Sequence, residues 1–304
     1  MNRFVAKPTN RFGPGSTEVL RVSRVGATSM DAVVVAEMPS SRFCGCALYD
    51  DNRDEILAIG GRDADSFLAA TDVRLLDVQS GRWTDIAPGG AADFPVGCMA
   101  LFDPVRDEGW LFGGMSEATR VFSSATFRWD PNARSFEAID GAGPPGRYDG
   151  VLRALRPGGP YVLSGGMGLA GPTSLAFFSD VWVFDPEGRT WTSVPAANDG
   201  PPGRRYPWMT VDAAGNRFLL GFGSDSGQGQ TVLGDLWRFD IEDRLWTEVI
   251  VQGDAPAPRG FTSWLPGPEG TAGLLVSGGG GDSVPLLTDS FVLIPPDDDG
   301  DGWH

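Results

Sequence analysis

The sequence predicts an all-β chain assembled from one repeated four-strand unit, and three observations carry that prediction. The stretch SDVWVFDPEGRTW (179–191) returns in register as DLWRFDIEDRLW (235–246), DVRLLDVQSGRW (72–83) and ATFRWDPNARSF (125–136). In each copy an aspartate (Asp77, Asp130, Asp185 or Asp240) precedes an aromatic by six residues, namely Trp83, Phe136, Trp191 or Trp246. Four matches at one spacing mean a duplicated structural unit. Upstream of each copy lies a short apolar run ending in glycine: EILAIGG (55–61), GWLFGG (109–114), PYVLSGG (160–166) and RFLLGFG (217–223), with a fifth, GLLVSGG, at 273–279. Finally, the 304 residues include 43 Gly and 24 Pro beside 41% hydrophobic residues. That is heavy punctuation for a helical protein and enough apolar matter for a core.

The elements of the unit follow in order. FCGCALYD (43–50) and VGCMALFD (96–103) supply the first strand, with Ala47-Leu48-Tyr49-Asp50 aligned on Ala100-Leu101-Phe102-Asp103. The apolar runs are the second strand, too short for a helix and right for a buried strand. Their glycines permit positive φ and close backbone approach. A loop, a third strand, a tight turn and a fourth strand carrying the aromatic complete the unit. In DPEG (185–188) Asp stands first, Pro second and Gly fourth, as a type I turn prefers. The aromatic on the fourth strand is large enough to pack between one sheet and the next.

The glycine pairs recur at 60, 113, 165, about 221 and 278, a period slightly above fifty. The glycine doublet, the aspartate before the third strand and the Trp on the fourth resemble the kelch family, over roughly residues 40 to 294. That resemblance implies a kelch-type β-propeller of four-stranded blades. The second copy departs from it with Ala125 for Asp and Phe136 for Trp, and the fourth reads Gly221-Phe222-Gly223. Five blades are expected over 31–294, closed by pairing DAVVVAEMPSSR (31–42) with C-terminal strands at 260–264, 273–277 and 290–294. Residues 1–30 are then a lead-in, although EVLRVSRV (18–25) reads as an extra strand. A sixth, incomplete blade is the competing count. Residues 295–304 form an acidic tail in which Asp297, Asp299, Asp301 and Gly302 spell D-x-D-x-D-G. This resembles the start of a thrombospondin type 3-like calcium repeat. It implies weak calcium binding at Asp297, Asp299 and Asp301, and an extracellular or cell-surface location within a longer precursor. A solvated charge run, in a cytoplasmic protein, is the plainer alternative.

Antiparallel geometry places the entry to strand one beside the end of strand two. At that entry sit PSSRF (39–43), PPGRY (144–148), PPGRRY (201–206) and PAPRGF (256–261), whereas the second copy has Pro95. Arg42, Arg147, Arg205 (or Arg204) and Arg259 would crown one mouth of the channel, each followed by an aromatic. Two readings compete: these arginines stiffen the loops by bonding carbonyls and aspartates, or they receive an anionic ligand. The resemblance to kelch propellers, which use this rim for recognition, implies a ligand set of Arg42, Arg147, Tyr148, Arg205, Tyr206 and Arg259. The longest rim loops are MGLAGPTSLAFFS (167–179) and SDSGQGQTVLG (224–234), where Phe177 and Phe178 are either exposed anchors or caps on the core.

A net charge of −16 argues against nucleic acid as a partner. The longest apolar runs are too short to span a bilayer. The single histidine, His304, excludes the copper chemistry of kelch-type radical oxidases and leaves no Ser-His-Asp triad. No cofactor is expected for the propeller. Cys44 and Cys46 point to one face of a strand and Cys98, aligned with Gly45, to the other, so the three are expected as buried small residues without a disulfide framework. The function expected is a non-catalytic recognition module for a protein, peptide or glycan, anionic in character. The alternative is a sialidase-like or other carboxylate-based glycan-processing enzyme using Arg147, Arg205, Arg259 and Tyr148 or Tyr206. The aspartate box of the sialidases is absent from the sequence.

Overall fold

The computed structural model describes residues 3–6, 18–24, 30–40, 42–63, 65–66, 68–87, 96–116, 118–171, 173–212, 214–225, 231–251, 256–260, 263–265, 274–276 and 290–292. Among them every regular element is a strand. Cys46–Asp50, Glu55–Ile59, Val73–Asp77 and Arg82–Ile86 make sheet one. Met99–Asp103, Glu108–Phe112, Thr126–Asp130 and Ser135–Ile139 make sheet two. Sheet three is Arg147–Ala154, Tyr161–Leu169, Val181–Asp185 and Thr190–Ser193, with Leu175–Phe177 added to its second strand. Sheet four is Trp208–Val211, Arg217–Gly221, Leu236–Asp240 and Leu245–Glu248. All are antiparallel meanders, as the repeat predicts. A three-stranded sheet stands near each end: Arg3–Ala6, Glu18–Arg24 and Met30–Glu37, and Ser263–Leu265, Leu274–Val276 and Ser290–Val292. The chain divides into two compact units, Met1–Asp140 and Gly141–His304.

Within each unit neighbouring sheets bury one another's apolar faces. In the first, Leu48, Leu57 and Leu75 of sheet one meet Leu111, Trp129 and Phe136 of sheet two. In the second, Val151, Val162 and Val181 of sheet three meet Phe218, Phe239 and Trp246 of sheet four. The second strands are covered on both faces, which is why they read as unbroken apolar runs. The aromatic of the fourth strand fills the gap between layers as expected: Trp246 lies 4.7 Å from Phe239 and 5.5 Å from Phe218, centroid to centroid. Gly200 abuts that indole so closely that a Cβ there would come within 2.3 Å of it.

The recurring aspartate of the tight turn holds it by accepting hydrogen bonds. Asp77 Oδ1 accepts from the amides of Gln79 and Ser80, Asp130 Oδ1 from Asn132 and Ala133, and Asp240 Oδ1 from Glu242 and Asp243. The left-handed position is one residue beyond Gly188, at Arg189 (φ 54°), and likewise at Gly81, Arg134 and Arg244.

Among the described residues, the strand expected to close the ring has a local partner. Met30–Glu37 pairs with Glu18–Arg24, which in turn pairs with Arg3–Ala6, while the C-terminal strands form a sheet of their own. The extra strand read in EVLRVSRV is therefore the partner of 31–37. A strand a few residues away pairs at smaller loop-closure cost than one some 230 residues away. Val19 and Ala36 of this sheet pack on Ile56, Leu76 and Val78, and Trp83 Nε1 donates to the Glu37 carbonyl at 2.8 Å.

Candidate functional site

The rim where strand one begins is organised by an arginine clamp. Arg147 is fully buried; its Nη1 donates to the Gly165 carbonyl (3.1 Å) and to Asp180 Oδ1 (2.5 Å), its Nη2 to Asp180 Oδ2 (2.7 Å), and its Nε to the Pro145 carbonyl (3.2 Å). Arg204 repeats the set on Phe222, Asp235 and Pro202, with both carboxylate oxygens engaged at 2.8 and 2.7 Å. Arg42 does so on Gly60 and Asp72. The indoles of Trp182 and Trp237 donate to the same carboxylates as their clamps, at 2.8 and 2.7 Å. Arg259 is fully buried with Nε on the Ala257 carbonyl at 2.9 Å, and Asp289, in register with Asp235, lies outside the described residues. The aspartate before the third strand thus recurs because a buried guanidinium needs a carboxylate and carbonyls around it. Burial pushes the Asp235 carboxyl up, but hydrogen bonds from Arg204 and Trp237 and the Arg204 charge outweigh it, so its pKa falls below the ordinary value. Asp72 is held low in the same way by Arg42 and Arg74.

Both amino groups of Arg42 and of Arg147 sit on internal carboxylates, the contacts that the loop-stiffening reading expects. The choice between Arg204 and Arg205 is corrected. Arg204 takes the place of Arg147, and Arg205 stands one residue further on, where Tyr148 and Phe43 stand in their copies. Arg205 pairs with Asp149 at 2.5 Å, contacts the Tyr206 hydroxyl, and lies over the rings of Tyr148 (4.9 Å) and Tyr206 (4.3 Å). Burial pulls the Arg205 pKa down, and the Asp149 carboxylate with Tyr206 and Tyr148 more than reverses this, so it stands raised. Asp149 and Tyr206 are both left-handed (φ 58° and 52°), and the Tyr206 amide donates to the Asp149 carbonyl at 2.7 Å. Tyr148, Arg205 and Tyr206 are thereby brought together, with Asp149 as the member the sequence reading missed. Phe178 covers the Arg147 guanidinium at 4.0 Å, so it caps the clamp. Asp297, Asp299 and Asp301 lie outside the described residues.

The rim of the second unit offers two aliphatic side chains to solvent, among exposed polar neighbours such as Thr173 and Ser174. Leu169 and Leu175 face each other across the Met167–Leu169 and Leu175–Phe177 ribbon and are 38% and 60% exposed. In the first unit the loops after the glycine pairs carry exposed Leu68 and Val121. No spacing in the sequence marks these aliphatics; their only signal is an apolar residue between turn formers.

The cysteine expectation is also corrected. Cys46 of sheet one and Cys98, just before the first strand of sheet two, form a disulfide with a Cα–Cα separation of 5.7 Å. The opposite facing read from the alignment is what permits it, because stacked sheets touch through opposite faces.

These features define a kelch β-propeller chain. Residues 19–221, well over half of the sequence, match the family described as the KLHDC2/KLHL20/DRC7 Kelch-repeats domain, and the chain belongs to the kelch-repeat family. It is similar as well to the dynein alpha chain of the flagellar outer arm from Chlamydomonas reinhardtii, 31% identical over 138 residues, which cover 44% of this chain and 3% of that one. The match therefore spans a very small part of that relative's length. Kelch membership marks a protein-interaction module with protein partners. Among the described residues no helix is long and apolar enough to cross a membrane.

Proposed function

We propose that the chain is a non-catalytic recognition module that holds a protein or peptide on the loops following its glycine pairs, with Leu169 and Leu175 as the apolar contact. The observation that carries this is the clamp. In sheets one, three and four it fixes the exit of that loop to the entry of strand one, and so presents the loop tips on a rigid base. Because Arg42, Arg147, Arg204 and Arg205 are neutralised by Asp72, Asp180, Asp235 and Asp149, an anionic partner or glycan gains little from them. The same pairing works against the sialidase-like alternative, which needs Arg147 and Arg205 to grip a substrate carboxylate. An extracellular setting is supported by the Cys46–Cys98 disulfide, since such bonds persist in oxidising compartments.

The test uses the full chain as bait in cross-linking mass spectrometry. A Leu169→Ser, Leu175→Ser double variant is expected to lose the partner that the parent captures. Val105→Ser, an exposed aliphatic on a strand-one to strand-two turn, is expected to keep it. Equal capture by the double variant, or turnover of acidic glycans by the parent, would overturn the reading.

A further inference from the structure

The cysteines hold a chemistry that recognition does not use. The Cys46–Cys98 bond joins two sheets that share no strand pairing among the described residues. Cys44 stands outside the bond, two residues from Cys46. Its carbonyl accepts from the Gly97 amide at 2.8 Å, which pins residue 44 against the chain neighbour of Cys98. Cys44 and Gly97 are both left-handed, with φ of 53° and 68°, so this contact lies at a kink in each chain. Cys44 and Cys98 are partly accessible, whereas Cys46 is only 6% exposed. A partly accessible cysteine whose backbone is pinned one residue from Cys98, with the other bonded cysteine buried, has the placement that thiol–disulfide exchange requires.

We propose that Cys98 is shared between Cys46 and Cys44, making the rim between sheets one and two a thiol–disulfide exchange site. The Cys44 thiolate attacks Cys98 Sγ, a Cys44–Cys98 bond forms, and the Cys46–Cys98 bond breaks. Cys46 leaves as thiolate and takes up a proton equivalent to the one Cys44 gave, so no electron enters or leaves the protein. The apolar surroundings of Cys46, including Leu48 and Leu57, favour its bonded state, so the 46–98 link is the resting form. The two links pin different residues of the rim: one ties Cys98 to the strand, the other to the left-handed kink beside Phe43.

The experiment is differential alkylation of the native full-length chain at pH 8, with iodoacetamide first and N-ethylmaleimide after reduction. Trypsin leaves Cys44 and Cys46 together in peptide 43–53 and Cys98 in 83–106, so tandem mass spectrometry assigns the labels. The first label is expected on Cys44 and, growing with time, on Cys46. The Cys46 signal should vanish in Cys44→Ser. In Cys46→Ser, peptides 43–53 and 83–106 should remain joined through Cys44. A time-dependent label on Cys46 that Cys44→Ser abolishes supports the proposal, and so do joined peptides in Cys46→Ser unless Cys46 labelling keeps its full rate in Cys44→Ser. First label confined to Cys44 together with unjoined peptides in Cys46→Ser overturns it, as does Cys46 labelling at an unchanged rate in Cys44→Ser.

Discussion

Removing Asp235 while keeping Arg204 is the sharpest perturbation the rim allows. The guanidinium has no solvent exposure, and Asp235→Ala takes away the acceptors of both its amino groups, at 2.8 and 2.7 Å. Breaking a buried pair by deleting one partner costs about 3–5 kcal/mol. Two acceptors remain, the Phe222 and Pro202 carbonyls, and Asp235 itself is 23% exposed, so the lower end, about 3 kcal/mol, is expected. The Trp237 indole also loses its acceptor, but it is half-buried and water can replace it. Arg204→Met with Asp235→Leu removes both charges and keeps apolar volume; it should fall within about 1 kcal/mol of the parent. The assay is equilibrium unfolding in urea followed by tryptophan fluorescence, read as a midpoint shift at constant slope. Each transition should be fitted separately if the two compact units unfold apart. A cost below about 1 kcal/mol for Asp235→Ala, or a double variant as unstable as the single one, would refute the buried-pair reasoning.

Further outcomes follow from the same structure. Gly166→Ala, at φ 100° with a Cβ 3.0 Å from the Tyr148 carbonyl, should destabilise the chain by about 2 kcal/mol, seen as a lower urea midpoint. Reducing Cys46–Cys98 opens a 52-residue crosslink, which chain entropy values at about 4 kcal/mol, and Cys98→Ser should match the reductant in a thermal scan. On acidification Asp72 and Asp235, whose folded pKa values are depressed, contribute stability that is present above the unfolded value of about 4 and is lost as pH falls through their folded values. Asp235→Ala should flatten that acid limb in unfolding measured against pH.

The period of the fold was open to reading because the parts that recur are those the physics needs most often: glycines at close approach, an aspartate in the turn, an aromatic between layers. The clamp was legible too, as a co-occurrence. Arg42 with Asp72, Arg147 with Asp180 and Arg204 with Asp235 are present together, and both members are missing from the copy with Pro95 and Ala125. Two adjacent arginines hid the register in the fourth copy, since only the kink at Tyr206 shows which of them turns inward. The disulfide was hidden for another reason. Alternation along a strand tells which face a cysteine takes, and stacking then reverses what that means for a neighbour in the next sheet. The local pairing of Met30–Glu37 with Glu18–Arg24 was less legible, because sequence pattern does not weigh loop entropy.

Sheet two, which lacks the ion pair, shows what the clamp is for. At the position of Arg205, Val96 pairs with Met115 through both backbone hydrogen bonds, at 3.0 and 2.9 Å, and both side chains are buried. The backbone register is the same as elsewhere: the Gly113 amide donates to the Ala125 carbonyl, as Gly60 does to Asp72 and Phe222 to Asp235. The rim geometry therefore does not depend on charge to form. What sheet two has in addition is Cys98, tied to sheet one two residues beyond Val96. Where side chains cannot cross-brace the loop to the strand entry, a covalent bond to the neighbouring sheet holds that entry in place. On this view the Arg–Asp pair and the disulfide are two solutions to one mechanical problem. Restoring the pair in sheet two by Pro95→Arg with Ala125→Asp should then recover part of the stability that Cys98→Ser removes. The gain should be absent when either substitution is made alone, because a lone buried charge destabilises.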